Sequence, residues 1–278
     1  MIVQREKSAI AIQFIEDPAD PRVAAYRDIR ERDLTGREGL FVAEGEVVIR
    51  TLLSPSSLCR ARSLLIAANR VEAQAELIAA AGAGVPVYAA SQGVIDAIAG
   101  FPLHRGLLAL GEKPAERPVD AVLARLPEHC VVLAAAGIGN HDNMGGLFRN
   151  AAAFGAAAVL RDERCCDPFY RKAIRVSVGA VLRTPSAAST SLAGLIAALE
   201  AERFQVIALS PGATEPLVGL SGGGRKAVLV GSEGPGLPPA VMERVKTVGI
   251  PMAGGFDSLN VAVTSALALY QITTVSDR

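Results

Sequence analysis

The sequence predicts an α/β protein of two domains, the second built on a mainly parallel sheet. Three observations carry this. Short apolar runs bounded by turn residues recur between amphipathic helical stretches, the alternation that feeds a parallel sheet. The segment "GEKPAERPVDAVLARLPE", Gly111 to Glu128, concentrates proline and charge between two apolar-rich regions, which is the composition of an exposed linker. A chain of 278 residues is also long enough for one large or two modest domains, each with its own core.

Ahead of that linker, "GLFVAEGEVVIRTLLS" reads as a strand feeding a helix, "ARSLLIAA" as a strand, "RVEAQAELIAAAG" as a helix ending at glycine and "VPVYAAS" as a further strand. These make a small α/β unit over 21–111. After a linker at 112–127, the domain 128–278 holds five short buried strands, "CVVLAAA", "AAAVLR", "FQVIALS", "KAVLVGSE" and "TVGIPM". Between them lie helical stretches such as "TSLAGLIAALEAER" and "PPAVMERVK". The final segment, "SLNVAVTSALALYQITT", starts with Ser258 as N-cap and puts Leu259, Val263, Ala266, Leu267 and Tyr270 on one apolar stripe.

Composition excludes several function classes. Lys+Arg and Asp+Glu balance at 28 each, so no global field draws a polyanion, although a local basic patch remains open. The four cysteines, Cys59, Cys130, Cys165 and Cys166, contain no C-x-x-C pair, and with only three histidines no metal-ligand cluster forms. No apolar run approaches the roughly 18 residues of a membrane span, and "MIVQREKSAIAIQFIEDPAD" carries charges throughout instead of a targeting signal. The expectation is a reduced cytoplasmic protein without metal. Aromatic residues at 4% and the absence of tryptophan argue against an extended base-stacking platform.

The chemistry is sought where parallel strands end. In "GIGNHDNMGGLFRNAAAFGAAAVL" a single arginine, Arg149, interrupts small apolar residues. A helix starting near Asn143 places Gly145 and Gly146 on the face of Arg149, so the guanidinium can lie over bare backbone and reach Asn140, Asp142 and Asn143. The other reading is an exposed helix arginine or an ion pair with Asp142. A dinucleotide site fails because Asp142 stands where the third glycine of G-x-G-x-x-G is wanted. "SGGGRKAV" lacks P-loop spacing and reads as a turn. "VLVGSEGPGLPP" and "IPMAGGFDSLNVAV" are two more strand exits whose glycines admit either a close ligand or a tight turn.

In this order, "NHDNMGGLFRNAAAFGA", "VGSEGPGLP" and "IPMAGGFDSLNVAVTSALALY" closely resemble the signature blocks of the SpoU/TrmH family of SPOUT RNA methyltransferases, over nearly all of residues 131 to 272. The resemblance implies transfer of a methyl group from S-adenosylmethionine to a ribose 2′-hydroxyl of ribosomal or transfer RNA. It also implies a C-terminal SPOUT domain whose parallel sheet is closed by a deep trefoil knot, here from about Leu229 to Leu269, and a homodimer through the C-terminal helix. By motif position Arg149 matches the family's catalytic arginine, and Asn143, Glu233, Ser258 and Asn260 its polar site residues. Gly231, Ile250 and Leu259, with Leu209, Ser210, Gly236 and Met252, match the cofactor cradle. Ser177 and Gly179, in "RKAIRVSVGAVLRTP", would face the RNA.

"FVAEGEVVI" and "HRGLLAL" are similar to the small RNA-binding domain that precedes the catalytic domain in many members, with Met1–Asp20 as an added extension. Glu44 and Gly45 read as a helix start or as a contact site. The family often has glutamine where Arg105 stands. For an arginine that cannot act as a base, the implied work is to hold a phosphate and stabilise charge on the attacking oxygen. Glu233 is a proton acceptor, an orienter of Arg149, or a loop carboxylate binding backbone amides. The run Arg161, Arg164, Arg171, Lys172, Arg175 and Arg183 reads either as a solvated face or as a phosphate-binding patch. The rivals are an RNA-binding protein of the same fold without catalysis, against which Arg149, Glu233 and Asn260 argue, and an NAD-dependent oxidoreductase.

Overall fold

The computed structural model describes residues 10–27, 36, 38–103, 106–220, 222–254 and 256–274, so Arg105 lies outside the described residues. The chain divides into two compact units that change over after Pro114, with Phe169–Arg171 grouped with the first. In the first unit β1 (Ile12–Ile15), β2 (Leu40–Glu44), β3 (Arg60–Ala67), β4 (Val87–Ala90) and β5 (Leu107–Glu112) form a sheet in the order β1-β4-β3-β5-β2. β1, β4 and β3 are parallel, and β5 is antiparallel to both β3 and β2.

The strand alternation decides what each face buries. Val42, Leu65, Ala67, Tyr88, Leu108 and Leu110 pack with Ile95, Ile98 and Ala99 of α3 (Gln92–Ala99), while α1 (Glu46–Leu53) and α2 (Ala75–Ala81) bury Val48, Ile49, Leu52, Leu77 and Ile78. Gly45, at φ 88°, occupies the N-cap position of α1 and is the helix start, while Glu44 closes β2. Phe169 sits 5.3 Å from the Phe41 ring, and Arg171 pairs with Glu44 at 2.8 Å while lying 4.6 Å from the Phe101 ring centroid.

Two boundaries expected from the sequence are corrected. β1 falls inside the expected extension, yet Ile12–Ile15 pair in register with Val87–Ala90, because a half-apolar tetrad completes an otherwise bare sheet edge. The expected linker contains α4 (Val119–Leu123), whose Val119, Val122 and Leu123 are buried in the second unit. Proline and charge mark its flanks, but the V-x-x-V-L spacing within is that of a helix with one apolar face.

In the second unit β6 (Cys130–Ala136), β7 (Val159–Arg161), β8 (Ser186–Ala188), β9 (Gln205–Leu209), β10 (Arg225–Gly231) and β11 (Lys246–Val248) form a wholly parallel sheet, in the order β11-β9-β10-β6-β7-β8. Val132, Ala134, Leu160, Val206, Ala227 and Leu229 bury against α4 and α7 (Leu192–Ala201), with α8 (Pro239–Arg244) packed beside them. Against the other face lie α5 (His141–Ala153) and α9 (Val261–Thr274), which also pack on each other.

From β6 the chain runs outward to β7 and β8, whereas from β10 it runs the opposite way to β11. The exits of these two central strands therefore diverge, leaving a crevice at their carboxyl ends. Leu123, the last residue of α4, is fully buried in the core of the second unit. Leu123→Ala is expected to cost about 2–5 kcal/mol in urea unfolding of the second unit, where a true linker residue would cost almost nothing.

Candidate functional site

Three loops meet at the crevice. The first leaves β6 through Gly137, at φ 67°, and is held from beneath by Asp162, a carboxylate only 2% exposed. Asp162 Oδ1 accepts from the N–H groups of Gly137 (2.9 Å) and Arg164 (3.2 Å). Ile138 N–H donates to Cys165 Sγ at 3.3 Å, and Ile138 O accepts from Cys166 N–H at 2.8 Å. Burial pushes the Cys165 thiol up to about 12 and the Cys166 thiol up to about 11, so both stay protonated near neutrality. The loop then enters α5 at Asn140, whose Oδ1 accepts from the N–H groups of Asp142 (2.7 Å) and Asn143 (3.4 Å). The helix thus begins at His141, ahead of the expected start at Asn143, because Asn140 supplies the cap.

The second loop leaves β10 at Gly231 and closes on itself, with Gly236 N–H donating to Ser232 O at 3.1 Å. A Cβ on Gly231 would lie 2.7 Å from both Gly236 C and Leu237 N. Glycine there is required by this loop's own return. The third loop follows β11: Gly249 donates to Glu215 O and accepts from Leu217 N–H, and the chain returns to enter α9 at Asn260. Asn260 Oδ1 accepts from the N–H groups of Ala262 (2.9 Å) and Val263 (3.3 Å), so it is the helix cap in place of the expected Ser258.

With its oxygen committed to the cap, the Asn260 amide must present Nδ2 to the crevice. There it donates to Asn143 Oδ1 (2.8 Å) and Glu233 Oε1 (3.1 Å), and Asn143 Nδ2 donates to the same Glu233 oxygen at 2.9 Å. One side chain from each loop is thereby tied into a single network. Beside it lies a cavity of about 290 Å³, near the lower edge of the ~300–1,000 Å³ usual for small-molecule sites. All seven residues expected at the cofactor, Leu209, Ser210, Gly231, Gly236, Ile250, Met252 and Leu259, line it, as do Glu233 and Ser258. Met242 and Thr264 also line it and were not anticipated.

Arg149 does not line the cavity. Six residues beyond Asn143 it points about 240° further around α5, and it is exposed, with no hydrogen bond or ion pair to any described residue. Two expectations about it are corrected. Asp142 pairs with Lys172 at 2.6 Å, so it is not the partner of Arg149. Gly145 and Gly146 are not bare surface beneath it: added Cβ atoms would lie 2.7 Å from Ala173 O and 2.6 Å from Ala262 Cβ. These glycines let neighbouring helices approach.

Ser177 and Gly179, expected to face RNA, are buried; the Ser177 hydroxyl donates to Ile174 O at 2.8 Å. Within the basic run Lys172 and Arg171 are paired, while Arg164, Arg175 and Arg183 are exposed. Burial and the Lys172 ammonium hold the His141 imidazole below its usual range.

Sequence reading missed Asn150 and Asp162. Asn150 Nδ2 donates to Ala262 O (2.6 Å) and Ser265 Oγ (3.0 Å), locking α5 to α9. Nothing in the local pattern marks Asn150, but an acid directly after a buried strand was a signal for Asp162. Asn260→Ala is expected to remove about 0.5–2 kcal/mol through the lost cap. Asn260→Asp, which keeps the acceptor but sets a second carboxylate against Glu233, separates cap from network. Chemical denaturation of both variants measures the difference.

The profile of the SpoU rRNA Methylase family matches residues 130–270. An uncharacterized tRNA/rRNA methyltransferase of Mycobacterium tuberculosis is 36% identical over 275 residues, covering 94% of this chain and 92% of that protein. Among solved structures, an RNA 2′-O ribose methyltransferase is 26% identical with a TM-score of 0.75, over 93% of this chain and 97% of its own. The AdoMet-bound rRNA methyltransferase from Sinorhizobium meliloti is similar in fold, with a TM-score of 0.79 at 23% identity over 94% of this chain and 97% of that one.

Proposed function

Because the chain belongs to the SpoU rRNA Methylase family, we propose that it transfers a methyl group from S-adenosylmethionine to a ribose 2′-hydroxyl of ribosomal or transfer RNA. The observation that carries this reading is the Asn143–Glu233–Asn260 network beside a cavity at the carboxyl ends of parallel strands. Its 2′-hydroxyl specificity is further supported by likeness to the RNA 2′-O ribose methyltransferase structure.

The residues of the cavity fit this cofactor. Leu209, Ile250, Met252 and Leu259 offer an apolar bed for an adenine, Ser210 and Ser258 offer hydroxyls, and Glu233 offers a carboxylate for a cationic group. When bound, S-adenosylmethionine supplies an electrophilic methyl on a sulfonium. The protein's tasks are then to orient the nucleophile and to relieve it of its proton. Asn143 and Asn260 pin one oxygen of Glu233, which fixes the plane of the carboxylate and aims the second oxygen as a proton acceptor. Such transfer is typically worth about 10²–10⁴-fold. Arg149, exposed and always charged, holds a phosphate of the RNA and so helps to position the reacting ribose.

In the same reading the segments from about Leu229 to Leu269 form a deep trefoil knot. Supporting this, β11 bonds outside β9 at the sheet edge, while the helix that follows it packs back on β10 and β6. The first unit serves as the RNA-binding domain. A homodimer forms through α9: Val263, Leu267 and Tyr270 are exposed on one stripe, opposite the buried Val261, Ser265, Ala268, Leu269 and Ile272.

Calorimetry is expected to give S-adenosylmethionine binding and no NAD binding; the reverse would sink the reading. In single-turnover assays on RNA from a strain lacking the protein, Arg149→Ala is expected to bind cofactor normally yet lose methyl transfer by orders of magnitude. Arg149→Lys should rescue little, since a point charge cannot reproduce a two-pronged contact. Light scattering is expected to show a dimer that Leu267→Glu dissociates.

A further inference from the structure

The cavity at the strand ends has a floor and a rim. Val230, Leu237 and Val248, all buried, make the floor, whereas Glu233, Ser258 and Leu259, all exposed, stand where it opens to solvent. Met252 and Ser258 both line the cavity, and between them every described residue is exposed and none belongs to a helix or strand. Phe256 lies in this span. Two residues before Ser258, its Cα is held by chain geometry to no more than about 7 Å from that rim residue. Asn260, which donates to Glu233 at 3.1 Å, is only four residues on, within about 14 Å. A turn closed by Phe256 N–H on Ala253 O, at 3.3 Å, shortens the span further.

The Phe256 side chain is 69% exposed and is not part of the cavity wall. Its ring meets no other ring and no cation among the described residues. Folding gains little from a ring left in water, and a cofactor in the cavity leaves it untouched. Of the other exposed aromatics described, Phe14 belongs to the first unit and Tyr270 meets the Phe154 ring at 6.1 Å. What reaches the rim must therefore come from outside. The carboxylates of Glu233 and Asp257 stand on the same rim, and neither pairs with a cation among the described residues. They repel a backbone phosphate at this spot, so the complementary group is flat and uncharged. A nucleobase has that form, and every base offers a π-face to an aromatic ring.

Resting on the methyl-transfer reading above, we propose that Phe256 is a specificity-determining residue that stacks on an unpaired nucleobase at the methylated nucleotide and so fixes which ribose comes to Glu233. A base inside a duplex has both faces occupied, so the site selects a single-stranded or looped nucleotide. One ring holds one base, in keeping with a chain too poor in aromatic residues for an extended platform.

The test is steady-state methylation of RNA from a strain lacking the protein, by the full chain and its Phe256→Ala, Phe256→Leu and Phe256→Tyr variants. Affinity for S-adenosylmethionine, Tm and light scattering are measured alongside. Phe256→Ala is expected to keep Tm, cofactor affinity and oligomeric state while kcat/KM for RNA falls about 5- to 150-fold, the range that base–aromatic stacking spans by alanine substitution. Phe256→Tyr, which keeps the π-face, is expected to stay within a few fold of the unchanged protein. Phe256→Leu keeps apolar area without a π-face and is expected to fall as Phe256→Ala does, a split that a merely structural role does not produce. Activity of Phe256→Ala or Phe256→Leu within twofold of the unchanged protein would overturn the inference. Loss of cofactor affinity would overturn it too, by assigning the ring to the cavity, and so would dissociation into a smaller species, by assigning it to a second copy. If the unchanged protein methylates no RNA, the methyl-transfer reading fails first and this inference falls with it; a failure of the inference alone leaves the unchanged protein active.

Discussion

A single amide orientation holds the site together. Asn260 must turn its oxygen toward the first N–H groups of α9, so its nitrogen can only face Glu233 and Asn143. That choice propagates. Asn143 must then accept with Oδ1 and donate with Nδ2, and Glu233 receives two donors on one oxygen. Every donor and acceptor in the chain of contacts has one assignment, and partly buried networks are worth having only when fully satisfied. Residues 143, 233 and 260 are far apart in sequence, so their meeting depends on the sheet order that brings β6 beside β10.

Small residues make that meeting possible. At Gly231 a side chain would strike the returning backbone of Gly236 and Leu237, and at Gly249 it would strike Ser210 O at 2.9 Å. Gly145 and Gly146 play the same part between helices, letting α6 (Arg171–Val176) and α9 close on α5 from two sides. Asn150 and Asp162 then fix what the glycines allow, one locking α5 to α9 and the other holding the first loop on its strand. A helix gripped on both flanks leaves few residues free to face outward. Arg149 is one of them, which makes its solvent exposure consistent with a substrate-facing role and inconsistent with a packing role.

Five of the six strands of the second unit were legible because fully buried parallel strands are nearly continuous apolar runs, whereas β8, three small residues long, carries no such run. The tetrad Ile12–Ile15 and the helix Val119–Leu123 were not: each is four or five residues long, flanked by charge, and acquires its structure only from the sheet edge or core it completes. Glycines were visible as punctuation, but periodicity cannot tell a glycine that admits a ligand from one that admits another helix. The cavity-lining residues were found through motif resemblance, and the resemblance carried no orientation. It placed Ser177 toward substrate, where the chain turns Ser177 inward and Val178 outward.

By itself the sequence determined the α/β class, the parallel sheet, the order of the three strand-exit motifs and the residue types gathered there, since these follow from local periodicity and from residues read in series. Which asparagine caps α9, which carboxylate supports the first loop, and which way Arg149 and Val178 face were decided only in three dimensions. The reason is physical. Caps, hydrogen-bond partners and exposure depend on neighbours brought close by the sheet order, and contacts such as Asn143 with Asn260 join residues 117 positions apart.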